Sequence, residues 1–290
     1  MTRGKKIKTV IAIVGFALAI MGLASACGSS SSSSSTASAS ATVSKAEQIL
    51  GHAPTGLAKA IVDRGTVVVA DDANYPPQSV VKKNGDLVGF DVDVGKKVAS
   101  ILGLEVKFVN PAWDSIPTGL QVGRFDVSIG SMSPTAERKK SVDFADPYAV
   151  SAAVIMTRTG TPGLNTVAEL AGKKIGTGAA TSYYYWLQKN TEAIIKSYAS
   201  SIDTFPDLQM GRLDGVMTAA PSAQEAIAAG KPFQMTGKPF MYEDICFAIK
   251  KGEPDWLALL NYTVKEMHAD GSLTAMSQHW YNGLDVTVRQ

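Results

Sequence analysis

Along most of the chain, short β-branched runs alternate with segments whose apolar positions recur every three or four residues. The runs at 66–70 (TVVVA), 106–109, 127–130, 151–158, 173–176, 215–217 and 245–250 predict strands. Between them, helical spacing predicts 91–102, with Asp91 as its cap, Val94, Val98 and Ile101 on one face and Gly103 at its end. A short helix at 116–122 stops at Gly123. Further helices fall near 183, at 207–213, 222–229, 255–269 and 272–281. Asn84-Gly85 predicts a hairpin turn between 80–83 and 87–90, and Thr166 with Glu169 fits a capping box. Strand–helix alternation of this kind predicts an α/β fold with a mostly parallel sheet. Ligands on such sheets sit beyond the strand C-termini, so the loops 71–77, 110–114 and 130–133 are expected to converge.

The first 60 residues follow other rules. Arg3, Lys5, Lys6 and Lys8 precede an unbroken apolar run at 10–21, and Leu23-Ala24-Ser25-Ala26 leads into Cys27. The apolar run is too short to span a membrane and predicts an export signal over 1–26. It resembles a bacterial lipoprotein signal, which would make Cys27 the lipidated first residue of the mature chain. Residues 28–44 are nearly all Ser, Ala and Thr and offer no apolar face. A flexible tether over 27–57 is therefore expected, with 46–62 open to a short helix.

Removing the signal changes the charge. Four of the 28 Lys+Arg and none of the 26 acids precede Cys27, so 24 bases face 26 acids, a net of about −2. That is no signature of nucleic-acid binding. If Cys27 carries lipid, Cys246 has no partner for a disulfide, and its apolar flanks predict a buried thiol.

The densest chemistry lies at 131–148, SMSPTAERKKSVDFADPY. Ser133 fits a helix cap and Pro134 the first helical position, which would turn free N–H groups toward an anion. Arg138, about one turn in, adds a planar fork matched to a carboxylate. A solvated cationic helix start fits the same residues. His52, His268 and His279 have no metal-ligand spacing, and neither a nucleophile elbow nor a P-loop is present. The acid pairs Asp71-Asp72 and Glu243-Asp244 could serve proton transfer but read equally well as solvated loops.

An ordered set of motifs resembles the family 3 extracellular solute-binding proteins. It comprises Tyr75-Pro76-Pro77, Gly89-Phe90-Asp91-Val92-Asp93, Trp113-Asp114, Gly123-Arg124-Phe125-Asp126, Glu137-Arg138-Lys139-Lys140, Asp143-Phe144-Ala145-Asp146-Pro147-Tyr148, Gly211-Arg212-Leu213-Asp214-Gly215 and Ala269-Asp270-Gly271. The resemblance implies a type II periplasmic-binding-protein-like fold of two lobes joined by two crossover hinge strands. Lobe 1 would span 58–147 plus 246–290 and lobe 2 153–240, with hinges at 148–152 and 241–245. It further implies capture of a small carboxylate-bearing solute, an amino acid or derivative, between the lobes. Delivery would be to the permease and ATPase subunits of an ABC importer. The protein would act as a monomer, lipid-anchored on the extracellular face, without cofactor, metal or catalytic residues. By the same resemblance Arg138 pairs with the solute's carboxylate, Ser131, Ser133, Thr181 and Ser182 assist, Tyr75 and Trp113 form walls, and Asp72 is a polar partner. Tyr183, Thr218, Ala219 and Glu243 complete a wider ring. A cyclohexadienyl-dehydratase-like enzyme on the same fold, or a ligand-sensing partner of a membrane receptor, are the alternatives.

One position departs from the family pattern. Members usually carry an Asp after the second-lobe strand to pair with the solute's α-ammonium, and here Ala219 takes its place. A buried ammonium needs a partner. Either Asp72, Glu243 or Asp244 supplies the charge, or Tyr75, Trp113 and Tyr183 cage a cation, or the solute has no free α-amine. The expectation is an atypical ligand: a modified amino acid, a quaternary-amine acid or another small organic acid.

Overall fold

The computed structural model describes residues 43–289. The signal segment, Cys27 and the serine tract lie outside the described residues. The elements are α1 (Lys45–Leu50), α2 (Gly56–Arg64), β1 (Thr66–Ala70), β2 (Asn74–Tyr75), β3 (Ser79–Val81), β4 (Leu87–Val88), α3 (Phe90–Leu102), β5 (Glu105–Val109), α4 (Ile116–Gln121) and β6 (Val127–Met132). They continue with β7 (Val142–Arg158), β8 (Lys174–Gly178), α5 (Ser182–Asn190), β9 (Ile194–Tyr198), α6 (Phe205–Gln209), β10 (Gly215–Ala219), α7 (Ala220–Ala228), β11 (Phe233–Lys250), α8 (Pro254–Ala269) and α9 (Ser272–Trp280).

Eight strands form one sheet in the order β5-β1-β6-β11-β7-β10-β8-β9, and β2-β3-β4 make a small second sheet. The expectation of a mostly parallel sheet holds only toward its two ends. β5, β1 and β6 pair in parallel, as do β10, β8 and β9. The centre is antiparallel: β11 pairs with β6 and β7, and β7 with β10. Sequence reading found only the apolar ends of the two long strands. β7 runs 17 residues and β11 18, paired from Val142 with Lys250 to Phe233 with Arg158. Pro147, Gly237 and Pro239 disguised them. The register shifts beside Pro147 and across 236–241, and such irregularities let a strand carry residues that cannot complete the ladder.

Separate apolar cores form on either side of these central strands. On one side Ile61, Val69, Phe90, Phe247, Trp256 and Leu260 pack together. On the other, Ile155, Leu170, Ile175, Leu187 and Met217 cluster on one sheet face, with Val154, Met156, Leu208 and Phe233 on the opposite face. The long strands feed both sides.

Three local expectations change. The tether expected over 27–57 is helical at Lys45–Leu50. Ser44 caps that helix by accepting from the Glu47 N–H at 3.1 Å, and Ala46 is buried in the first core. Asp91 does not cap α3. Gly89 does, at φ 144°, where a Cβ would lie 2.1 Å from the Gln78 carbonyl oxygen, and Asp91 turns inward to complete burial. No α-helix begins at Ser133. Only a 3₁₀ turn forms, at Arg138–Lys140, and the Ser133 hydroxyl donates to Glu243 instead of capping, so an anion site built on a helix start is not available there. The strand β9, absent from the sequence reading, forms one edge of the sheet.

Candidate functional site

The loops leaving β1, β6, β8 and β9 end at a common crevice containing about 520 Å³ of empty space, its mouth included. From the first half come Asp72, Asn74 and Tyr75, then Trp113, then Gly130, Ser131, Ser133 and Arg138. From the second come Gly178, Thr181, Ser182, Tyr183 and the run Ala199-Ser200-Ser201, and Glu243 projects from β11. Ten of the twelve expected residues are thus brought together. Thr218 and Ala219 are not: both are fully buried in β10, and Ala219 belongs to the apolar cluster that holds Tyr183. At the end of a central strand a methyl group packs where a carboxylate would have to be solvated or paired. Ala199, Ser200 and Ser201 were missed because β9 was missed. Reading IIKSY as a parallel strand would have flagged its C-terminal loop.

Arg138 is the main polar contact across the crevice. Its Nη1 donates to the Ser133 carbonyl and its Nη2 to the Ala180 carbonyl, both at 3.0 Å. Its guanidinium carbon lies 5.1 Å above the Trp113 ring, and it makes no ion pair among the described residues. Burial lowers its affinity for its proton, and the charge of Glu243 acts against that. Trp113 Nε1 donates to the same Ala180 carbonyl at 3.4 Å. The Tyr75 and Tyr183 hydroxyls lie 3.2 Å apart, and the side chains of Gln78 and Ser222 meet at 3.2 Å. Contacts from both halves therefore close over the space.

Ser131 and Ala180 both take φ near +55° without being glycine, a conformation that costs about 1 kcal/mol or more and recurs at functional sites. Ser131 is held there from below. Its N–H donates to the Tyr148 hydroxyl at 3.0 Å and its Oγ to Asp91 at 2.7 Å, while Tyr148 also donates to Asp91 at 2.7 Å. Burial raises the Asp91 carboxyl to about 7, against those two hydroxyl donors. Asp71 beside it is fully buried with neither oxygen hydrogen-bonded. Burial first, then the Asp91 charge, raises it well above the carboxylate range. Two acids thus underlie the crevice floor, where a neutral form is the least costly.

Other groups have fixed duties. The Thr181 hydroxyl donates to the Gly178 carbonyl and accepts from Tyr184 N–H, capping α5, so it has no proton left to offer a carboxylate. Asp244 pairs with Arg289 at 3.1 Å away from the crevice, which removes it from the choice of countercharges. Among the described residues no cluster of three or more His, Cys, Asp or Glu converges on a common point.

Two apolar cores bridged by a pair of long strands, with a polar crevice between them lined from both, define a two-lobe solute-binding protein of the type II fold. The chain belongs to the bacterial extracellular solute-binding proteins, family 3, whose profile it matches over residues 67–283. It is 33% identical to the L-cystine-binding protein TcyJ of Escherichia coli K12 over 238 residues, 81% of this chain and 89% of that one. It is 30% identical to ABC transporter arginine-binding protein 1 of the same organism, covering 72% of this chain and 88% of that protein. An ancestral arginine-binding protein bound to arginine superposes with a TM-score of 0.71 at 32% identity, over 75% of this chain and 99% of that one. The ancestral amino acid-binding protein AncCDT-1, a precursor of cyclohexadienyl dehydratase, gives 0.72 at 31% identity, over 77% and 98%.

Proposed function

We propose that the protein captures an amino acid or amino-acid derivative outside the cell and delivers it to the permease and ATPase of an ABC importer. Arg138 is the observation that carries this. It is a half-buried guanidinium that pairs with no carboxylate among the described residues, rests on Trp113, and spans to the opposite half through Ala180. A solute carboxylate would take over part of its donor fork, with N–H groups at the start of α5 reaching from the other side. Tyr75 and Trp113 wall the side chain, and Ser131, Ser133 and Ser182 supply polar edges.

The lobes we assign are 58–147 with 246–290, and 153–240, with α1 added to the first. β7 and β11 cross between them at 148–152 and 241–245. A ligand touching both lobes favours the closed arrangement by its difference in affinity for the two states, which is what a permease can read. Removal of the signal over 1–26, lipid on Cys27 and a monomer anchored on the extracellular face of the cell membrane complete the reading. The lipoprotein-like sequence before Cys27 supports the anchor. No catalytic residue is assigned. The likeness to AncCDT-1 keeps an enzymatic reading in view, and turnover of prephenate or arogenate would establish it.

The test is a thermal-shift and calorimetric screen against amino acids, betaines and organic acids. A true ligand at about 100 times its dissociation constant adds about 2.7 kcal/mol of stability. Arg138→Ala is expected to abolish that gain. A ligand that stabilises the variant as much as the wild type overturns the assignment.

A further inference from the structure

The family's amine-binding acid is replaced by Ala219, yet the crevice is not without negative charge. Glu243 lines it, makes no ion pair among the described residues, and has one oxygen already aimed: the Ser133 hydroxyl donates to its Oε2 at 2.6 Å. The same serine's carbonyl accepts from Arg138, so a single residue holds the cation and the anion of the site in fixed relation. Strand pairing explains how this glutamate can stand in. Ala219 on β10 lies opposite Ala153 of β7, and Glu243 on β11 lies opposite Ser151 of β7. Opposed residues share a sheet face, and so do residues two apart on a strand. Ala219 and Glu243 therefore project from the same face on either side of β7, offset by two residues, about 7 Å along the strand. Between them the Tyr183 hydroxyl meets Ser151 at 3.3 Å and Tyr75 at 3.2 Å, while the Tyr183 ring packs in the cluster with Ala219. Tyrosine thus closes off the ground beside Ala219 and leaves the charge on β11.

Resting on the solute-capture reading, we infer that Glu243 is the partner of the ligand's cationic nitrogen, moved from the end of β10 to the crossing strand β11. The solute class that follows is a zwitterion with a free ammonium close to its carboxylate, since Ser133 ties both protein charges together. Acids without an amine are disfavoured, because Glu243 and its hydroxyl neighbours would then be covered without a cation. Asp72 is less suited to this role, because it sits on the loop beyond β1, held there by the Asn74 N–H at 3.2 Å, rather than on this sheet face.

The experiment is calorimetric titration of the full-length protein with the twenty standard L-amino acids and L-cystine, then with the N-acetyl form of the tightest binder. The proteins are wild type, Glu243→Gln and Asp72→Asn, with Arg138→Ala as the carboxylate control. Glutamine can still accept from Ser133, so packing is retained. The expected result is that Glu243→Gln weakens the free amino acid by at least about 30-fold while leaving the weak N-acetyl binding unchanged. Asp72→Asn should keep the preference for the free amine. If instead Asp72→Asn erases that preference and Glu243→Gln does not, the inference falls and solute capture stands. It falls likewise if the wild type binds the N-acetyl form as tightly as the free one, a comparison that needs no variant to fold. If no free amino acid binds the wild type, the inference falls, and solute capture is decided by the wider screen against betaines and organic acids.

Discussion

Asp91 offers a prediction whose size follows from its surroundings. Its carboxyl is fully buried under the crevice floor, and burial raises it from 3.8 to about 7. A carboxyl raised on folding keeps its proton longer in the native state than in the unfolded chain. The stability it contributes is therefore complete below about pH 4 and is lost as pH rises through about 7. At about 1.4 kcal/mol per pH unit the whole change is about 4 kcal/mol, of which about 3 falls between pH 5 and pH 8. Asp71 acts in the same direction. Asp91→Asn keeps the shape and removes the titration, and the hydroxyls of Ser131 and Tyr148 can rotate to suit an amide. Urea unfolding of both proteins at pH 5, 6, 7 and 8 is the assay. Groups far from the site cancel in the difference. Wild type should lose about 3 kcal/mol more than Asp91→Asn across that range. Parallel pH profiles would refute the picture of a carboxyl held neutral beneath Ser131.

Gly89→Ala should cost at least about 3 kcal/mol in urea unfolding, or prevent folding, because the new Cβ meets backbone at 2.1 Å and the residue sits at φ 144°. A mild effect would show that the α3 start can shift. Trp113→Ala removes the ring beneath Arg138 and the bond to Ala180. Ligand affinity should drop about tenfold by calorimetry, from the lost cation–π and hydrogen-bond contacts. Cys246 is buried, and burial raises its thiol to about 12, so a thiol reagent at pH 8 should leave it unmodified in the native protein and label it fully in urea. Rapid native labelling would contradict the burial.

Much of the local architecture was legible along the chain. The β-branched run at β1, the face of α3, the glycine ends of helices and the hairpin around Gly85 each depend on neighbours within about four residues, and that information is local. The grouping of Tyr75, Trp113, Ser131, Arg138 and Ser182 was also within reach. Loops beyond parallel strand ends converge by rule, and the motif order pointed to the same crevice.

What the chain order could not express is which positions become neighbours across 40 to 110 residues. Asp91 looked like a cap because its own turn allows one. It is a buried acid because Ser131 and Tyr148 arrive from β6 and β7. Ser133 looked like a helix start until Glu243, 110 residues on, took its hydroxyl. The central halves of β7 and β11 carry proline and acids that no strand pattern would choose, and only their mutual pairing makes them strands. Local sequence thus determined the elements and their apolar faces, because propensity and periodicity act over a few residues. Tertiary structure decided which polar groups face the crevice and which are buried beneath it, because burial and charge are set by whatever the sheet brings alongside.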